Sequence, residues 1–352
     1  MKGKIYPYNP VVYEDRGVSP KVTRITDETW IANHLYFTNC SFTPDDKKII
    51  FESEIDGGNN LFCLDLEKNE IKQLTERRIL DYFPHPSRDG KKVFFGEGRY
   101  VMSVDIETCE EEILLDANEL VEHDVYKCSG TNPSWDGTKL INFFEAAPDY
   151  GFIVTDLITG QSEIILRGDQ PVRHCQFCPT DSNLILYAHE GKSWDKTRMW
   201  LIDADGSNNH RVRIDPDGDA VHCFHESWSH HEKVVYFTMR IRAENKTYFT
   251  RRNIETNEET IMFPLDQFHM SISPDDTMIA GDNKEGDRQI HIINMANAEV
   301  KSLCYPNMSF RGGPIASRFH PHPTFNNKGD KVIYSTDGFA YPGVFVAEVP
   351  KF

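Results

Sequence analysis

Histidine is scarce in this chain, 14 of 352 residues, so its placement carries information. The densest arrangement is Ser317-Arg318-Phe319-His320-Pro321-His322-Pro323-Thr324-Phe325, near the C-terminus. Two prolines hold that backbone extended. Residues two apart in extended chain project to one side, so His320 and His322 form a pre-spaced imidazole pair. Such a pair can ligate a metal, take a proton near neutral pH, or fill a polar gap. Two histidines alone do not choose among these. Three more add weight, because His174, His225 and His269 share a position with His322: each lies three residues before the apolar residue (Phe177, Trp228, Ile272, Phe325) that opens a recurring turn.

The repeats carrying His269 and the His320/His322 pair are consecutive, which makes these three the natural metal triad. His225, one repeat earlier, is left without a metal role, and a neutral imidazole there suits proton abstraction near pH 7. Two cations accompany the set: Arg173 beside His174, and Arg198 in Arg198-Met199-Trp200. Arginine binds a carboxylate with a two-pronged fork. Base, metal and arginine together suit removal of a proton next to a carboxylate. That proton is weakly acidic until both carboxylate oxygens are neutralised.

These side chains act together only if the elements carrying them converge. The turn they precede recurs through the chain as an apolar residue, a short polar turn with Asp or Gly, a Lys and a β-rich triplet, as in Phe42-Thr43-Pro44-Asp45-Asp46-Lys47-Lys48-Ile49-Ile50-Phe51. Taking Phe51, Phe95, Asn142, Tyr187, Tyr236, Ala280 and Tyr334 as anchors, the spacings are 44, 47, 45, 49, 44 and 54 residues. A third strand ending in an acidic turn follows most copies (Leu61–Leu66, Met199–Asp203), and often a fourth (Ile71–Thr75). Seven copies of about 45 residues, each four short strands, predict an all-β, seven-bladed β-propeller of four-stranded blades. No segment sustains a helical period. The seventh copy stops after its third strand at Val344–Val349, and an orphan strand at 21–26 is expected to complete it and close the ring. The chain then reads as a single propeller domain over 1–352, with blades over about 34–352. In such a ring the first strand of each blade lines the central channel, so the histidines at their starts meet at one mouth.

Composition bounds what this mouth can serve. A formal net charge of −17 argues against nucleic acid as a partner, while an acidic substrate stays open wherever local cations or a metal reverse the field. No run approaches the roughly 18 apolar residues of a membrane span. Met1-Lys2-Gly3-Lys4-Ile5-Tyr6-Pro7 has no apolar core after its lysines, so no secretory signal is read and a cytoplasmic location is expected. Eight scattered cysteines do not form a disulfide framework, and Cys175-Gln176-Phe177-Cys178 sits in a strand-like run where packing is the expectation. No Gly-x-Ser-x-Gly elbow occurs. Oligomeric state is left open.

Along essentially its whole length the sequence resembles the oligogalacturonate lyases, a family of seven-bladed propeller polysaccharide lyases. The resemblance is carried by His34-Leu35-Tyr36-Phe37-Thr38-Asn39 with Phe42-Thr43-Pro44-Asp45, and by His189-Glu190-Gly191 followed by Arg198-Met199-Trp200-Leu201-Ile202. Further matches are Asp205-Gly206-Ser207-Asn208, His225-Glu226-Ser227-Trp228, His269-Met270-Ser271 with Gly281-Asp282, and His320-Pro321-His322-Pro323. It implies manganese-dependent β-elimination on short, digalacturonate-type uronate oligomers inside the cell. His269, His320 and His322 would hold the metal, His225 would remove the C5 proton, and Arg198 would assist on the uronate carboxylate. His174, Arg173, His189 and Trp194 are expected to contact substrate. Two positions depart from the family. Its fourth ligand, a glutamine three residues before the His-Pro-His, is replaced by Ser317, which is too short to substitute and leaves the metal's identity open. Lys192-Ser193-Trp194 stands where proline and often histidine are usual, in a loop expected to touch substrate. The competing readings are the same chemistry on a different uronide, and a non-catalytic propeller that binds protein partners.

Overall fold

The computed structural model describes residues 1–351 apart from 56, 78–82, 191–197, 214–220, 266, 284–285, 310–319 and 340. Its strands form seven antiparallel sheets. Five run in simple chain order, as in Val172–Cys178, Asp181–His189, Met199–Asp203 and His210–Arg211 of blade four. All seven anchors lie in the second strand of their sheet, so the repeat register read from the turns is the register of the blades.

Closure is as expected, with additions. Val22–Arg24 pairs antiparallel with Gly343–Glu348, with Val22 opposite Ala347, and so becomes the fourth strand of blade seven. Val11–Tyr13 adds a fifth strand outside it, and Ile5–Pro7 adds a fifth to blade one by pairing with Glu70–Gln73. The N-terminal residues therefore stitch two blades and cover two exposed edges.

The second strands are continuous apolar runs because both of their faces are buried. Ile49 and Phe51 pack with residues of blade seven, while Ile50 between them packs against blade two. Val93 and Phe95 face blade one and Phe94 faces blade three. The core is thus seven interblade clusters, one for each neighbouring pair of blades, among the described residues. The turns leading into these strands share a lock: Ser87, Ser134 and Ser273 each donate a side-chain hydrogen bond to an aspartate two residues on. All eight cysteines are free thiols. Cys175, buried among apolar side chains, lies with its Sγ 3.2 Å from the Gly130 carbonyl oxygen, and burial pushes its thiol up to about 12. No helix among the described residues is long and apolar enough to cross a membrane.

Candidate active site

The innermost strands of blades three, four and five each carry a bulge at the same place. Register shifts between Ser129 and Asn132, between Arg173 and Gln176, and between Phe224 and Ser227. Within each shift one residue adopts a left-handed conformation: Gly130 (φ 71°), His174 (φ 54°) and His225 (φ 54°). In blade seven His322 (φ 48°), just before Thr324–Phe325, takes the same left-handed conformation without a register shift in the strand pairing that follows. A non-glycine residue held there costs about 1–2 kcal/mol. The bulge breaks the strand's alternation and re-aims one side chain at the channel mouth. This is the structural content of the shared histidine position.

His269 reaches the same mouth by another route. Its backbone N–H donates to Asp282 Oδ1 at 2.8 Å, and its Nδ1 lies 3.1 Å from Asp282 Oδ2. Asp282 is fully buried; burial pushes its carboxyl up, against the pull of the His269 N–H and of the His322 and His320 rings. One imidazole nitrogen of His269, His320 and His322 lies within 4.8 Å of one on each of the others. Ring centroids are 4.1 Å apart for His269 and His322, 5.2 Å for His269 and His320, and 5.8 Å for His320 and His322. His34 supports the pair: its Nε2 donates to the carbonyl oxygen of Pro321, between them, at 2.9 Å. Burial lowers His34 to about 4, so it stays neutral.

The donor set fits a divalent transition metal. Three imidazoles converge, and a carboxylate on Nδ1 of His269 directs Nε2 inward, the usual support for a metal-binding histidine. His322 is held well below its ordinary value, first by burial and then by His269, which keeps its lone pair available.

His225 stands beside this trio, its ring 4.8 Å from that of His269 and in contact with Phe37, Phe224 and Phe268. Its Nδ1 is buried and has no hydrogen-bond partner among the described residues. Burial, then the nearby His269 and Arg198, pushes His225 well below 6.5. Tyr36 and Phe37 form the wall across the mouth: Tyr36 meets His174 and His322, and Phe37 meets His225, His269 and His322.

Arg198 is buried at the other side of His174 between two carboxylates. Nε and Nη2 donate to Glu190 Oε1 at 3.2 and 2.7 Å, and Nη1 donates to Glu226 Oε2. Burial works against its charge, but Glu226 and Glu190 offset this and leave its pKa raised. His174 lies 3.7 Å from Glu190 and 3.9 Å from Glu226, and burial and Arg198 lower it to about 3.

Arg173 and His189 make their own contacts beside this group. Arg173 pairs with Glu145 at 2.5 Å and stacks over Phe143. His189 packs on Tyr187 and Trp200, and it is its neighbour Glu190 that reaches Arg198. Trp194 and Ser317 fall outside the described residues. Three site carboxylates received no role from sequence reasoning, although each lies inside a motif already picked out: Glu190 after His189, Glu226 after His225, and Asp282 after Gly281.

Comparison with known proteins supplies the family. A family model described as oligogalacturonate lyase matches residues 1–352. An oligogalacturonide lyase of Pectobacterium atrosepticum is 25% identical over 99% of this chain and 98% of its own. The crystal structure of an oligogalacturonate lyase from Vibrio parahaemolyticus superposes with a TM-score of 0.89 at 26% identity, covering 100% of this chain and 99% of the other. An oligogalacturonate lyase in complex with manganese superposes at 0.88 and 26% identity, covering 99% and 98%. With sequence, fold and length all in agreement from end to end, the chain belongs to the oligogalacturonate lyase family and is a polysaccharide lyase.

Proposed function

We propose that this protein cleaves short oligogalacturonides by β-elimination with the help of a divalent metal, manganese by analogy with the relative above. The observation that carries the reading is the meeting of three imidazoles with a fourth, His225, beside them and outside the trio. His269, His320 and His322 would hold the divalent ion, which when bound would lend positive charge to the uronate carboxylate and so make the C5 proton more acidic. His225 is the base. Burial and the nearby His269 and Arg198 hold it well below 6.5 and so neutral, its Nδ1 has no hydrogen-bond partner among the described residues, and Phe37, Phe224 and Phe268 pack around its ring. As His225 takes the C5 proton, the electron pair left behind forms the C4–C5 double bond, the C4–O bond breaks, and the leaving sugar oxygen gains a proton. Arg198 is the cation that would pair with a substrate carboxylate in place of one of its present partners.

The test follows ultraviolet absorbance of the conjugated product with digalacturonate. Activity should vanish with chelator and return with Mn²⁺. His225→Ala should lower kcat by about 10²–10⁴-fold while Mn²⁺ still binds. Failure to turn over digalacturonate with metal present would overturn the substrate assignment, and near-wild-type kcat in His225→Ala would overturn the base.

A further inference from the structure

Arg198 can offer a substrate only what its present partners leave. Glu226 holds Nη1 from a fully buried position, with no exposure of its side chain. Glu190 holds the opposite edge, Nε and Nη2, and its side chain is 29% exposed. That edge is the one a carboxylate grips with both oxygens. Glu190 uses it incompletely, because both N–H groups donate to the single oxygen Oε1. A free carboxylate placing one oxygen on each nitrogen would make the better fork-to-fork contact.

Resting on the function proposed above, we infer that Glu190 is a resident stand-in for the substrate carboxylate, displaced when a uronide binds. The exchange is one carboxylate for another, so Arg198 is charge-paired before and after. A neutral sugar brings no charge to replace Glu190, and an isolated hydroxyl competes poorly with a tethered carboxylate. Glu226, out of reach of solvent, keeps the guanidinium in place during the exchange. His174 Nε2 lies 3.7 Å from Glu190 Oε1.

Glu190→Gln keeps the side chain's size and removes its charge. The expected result is a KM for digalacturonate lowered about five- to tenfold, with D-galacturonate inhibiting more tightly by the same factor and D-galactose gaining nothing. A mere structural brace for Arg198 would give the reverse, raised KM and lowered kcat together, and would overturn the inference. Should the variant fail to fold, the wild-type protein crystallised with D-galacturonate decides: the sugar carboxylate on Nε and Nη2 with Glu190 turned away supports the exchange, and Glu190 still on Arg198 overturns it. Wild-type protein that neither cleaves digalacturonate nor binds D-galacturonate would instead sink the functional reading itself, a result distinct from either outcome for Glu190.

Discussion

An imidazole can ligate a metal only through a nitrogen that carries no proton, so whatever holds the other nitrogen decides whether it binds. For His269 that group is Asp282, an acceptor when ionised, which keeps the proton on Nδ1. Asp282→Asn would still accept the backbone N–H but would turn an amide N–H toward Nδ1. This favours the opposite tautomer, with the proton where the metal should be. Mn²⁺ affinity, measured by calorimetry, should fall about 10–100-fold in a protein that remains folded. Unchanged affinity would show that Asp282 serves only to brace the backbone. His225 has no such partner on its buried Nδ1 among the described residues, so nothing there fixes its tautomer.

The bulge is the element that turns a repeat into a site. Blade three keeps glycine at this position, and there a Cβ would meet the Phe143 ring at 2.6 Å. Blades four, five and seven place histidine in the same left-handed conformation and accept the strain. At such a φ the second residue of choice is glycine, not alanine. His225→Gly should therefore be more stable than His225→Ala by about 1 kcal/mol in urea unfolding, although both lack the base. Equal stabilities would mean that the bulge relaxes once the ring is removed. The same geometry explains why His174, three positions before Phe177, joins the cluster while His189, at the end of the neighbouring strand, packs on Tyr187 and Trp200.

At the scale of the whole ring, convergence of the inner strands buries imidazoles such as His34 and His85, whose ring nitrogens meet the carbonyl oxygens of Pro321 and Pro86. His34 is lowered to about 4, chiefly by burial, and His85 to about 3 by burial and then by Arg88. A histidine whose folded pKa lies below its unfolded value stabilises the fold fully above the unfolded value, near 6.5. That contribution is lost as pH falls through the interval down to the folded value. Each such group should cost about 1.4 kcal/mol per pH unit within that window. Acidification also relieves repulsion in a chain of net charge −17, so the sign is isolated by comparison with a variant. His85→Asn should show a shallower loss of stability than the wild type from about pH 6 to pH 4, by roughly that amount per unit, in urea titrations. Parallel curves would show that His85 is solvated in the folded state.

The blades, their strands and the histidines at one repeat position were legible in the amino-acid order. Turn residues, β-rich triplets and a period near 45 are local properties, and Met199–Asp203 emerges as a strand with the limits its residues indicate. The N-terminal closure was legible for a similar reason, since a seventh repeat lacking its fourth strand must find one. The outer strands Ile5–Pro7 and Val11–Tyr13 are too short to stand out from a loop. Folding alone decided which carboxylates matter, because Glu226 and Asp282 have no role in the residue order until burial and the partners Arg198 and His269 give them one. It also decided where each histidine points, for a bulge of one residue reverses a side chain's direction without any mark in the residue types beside it.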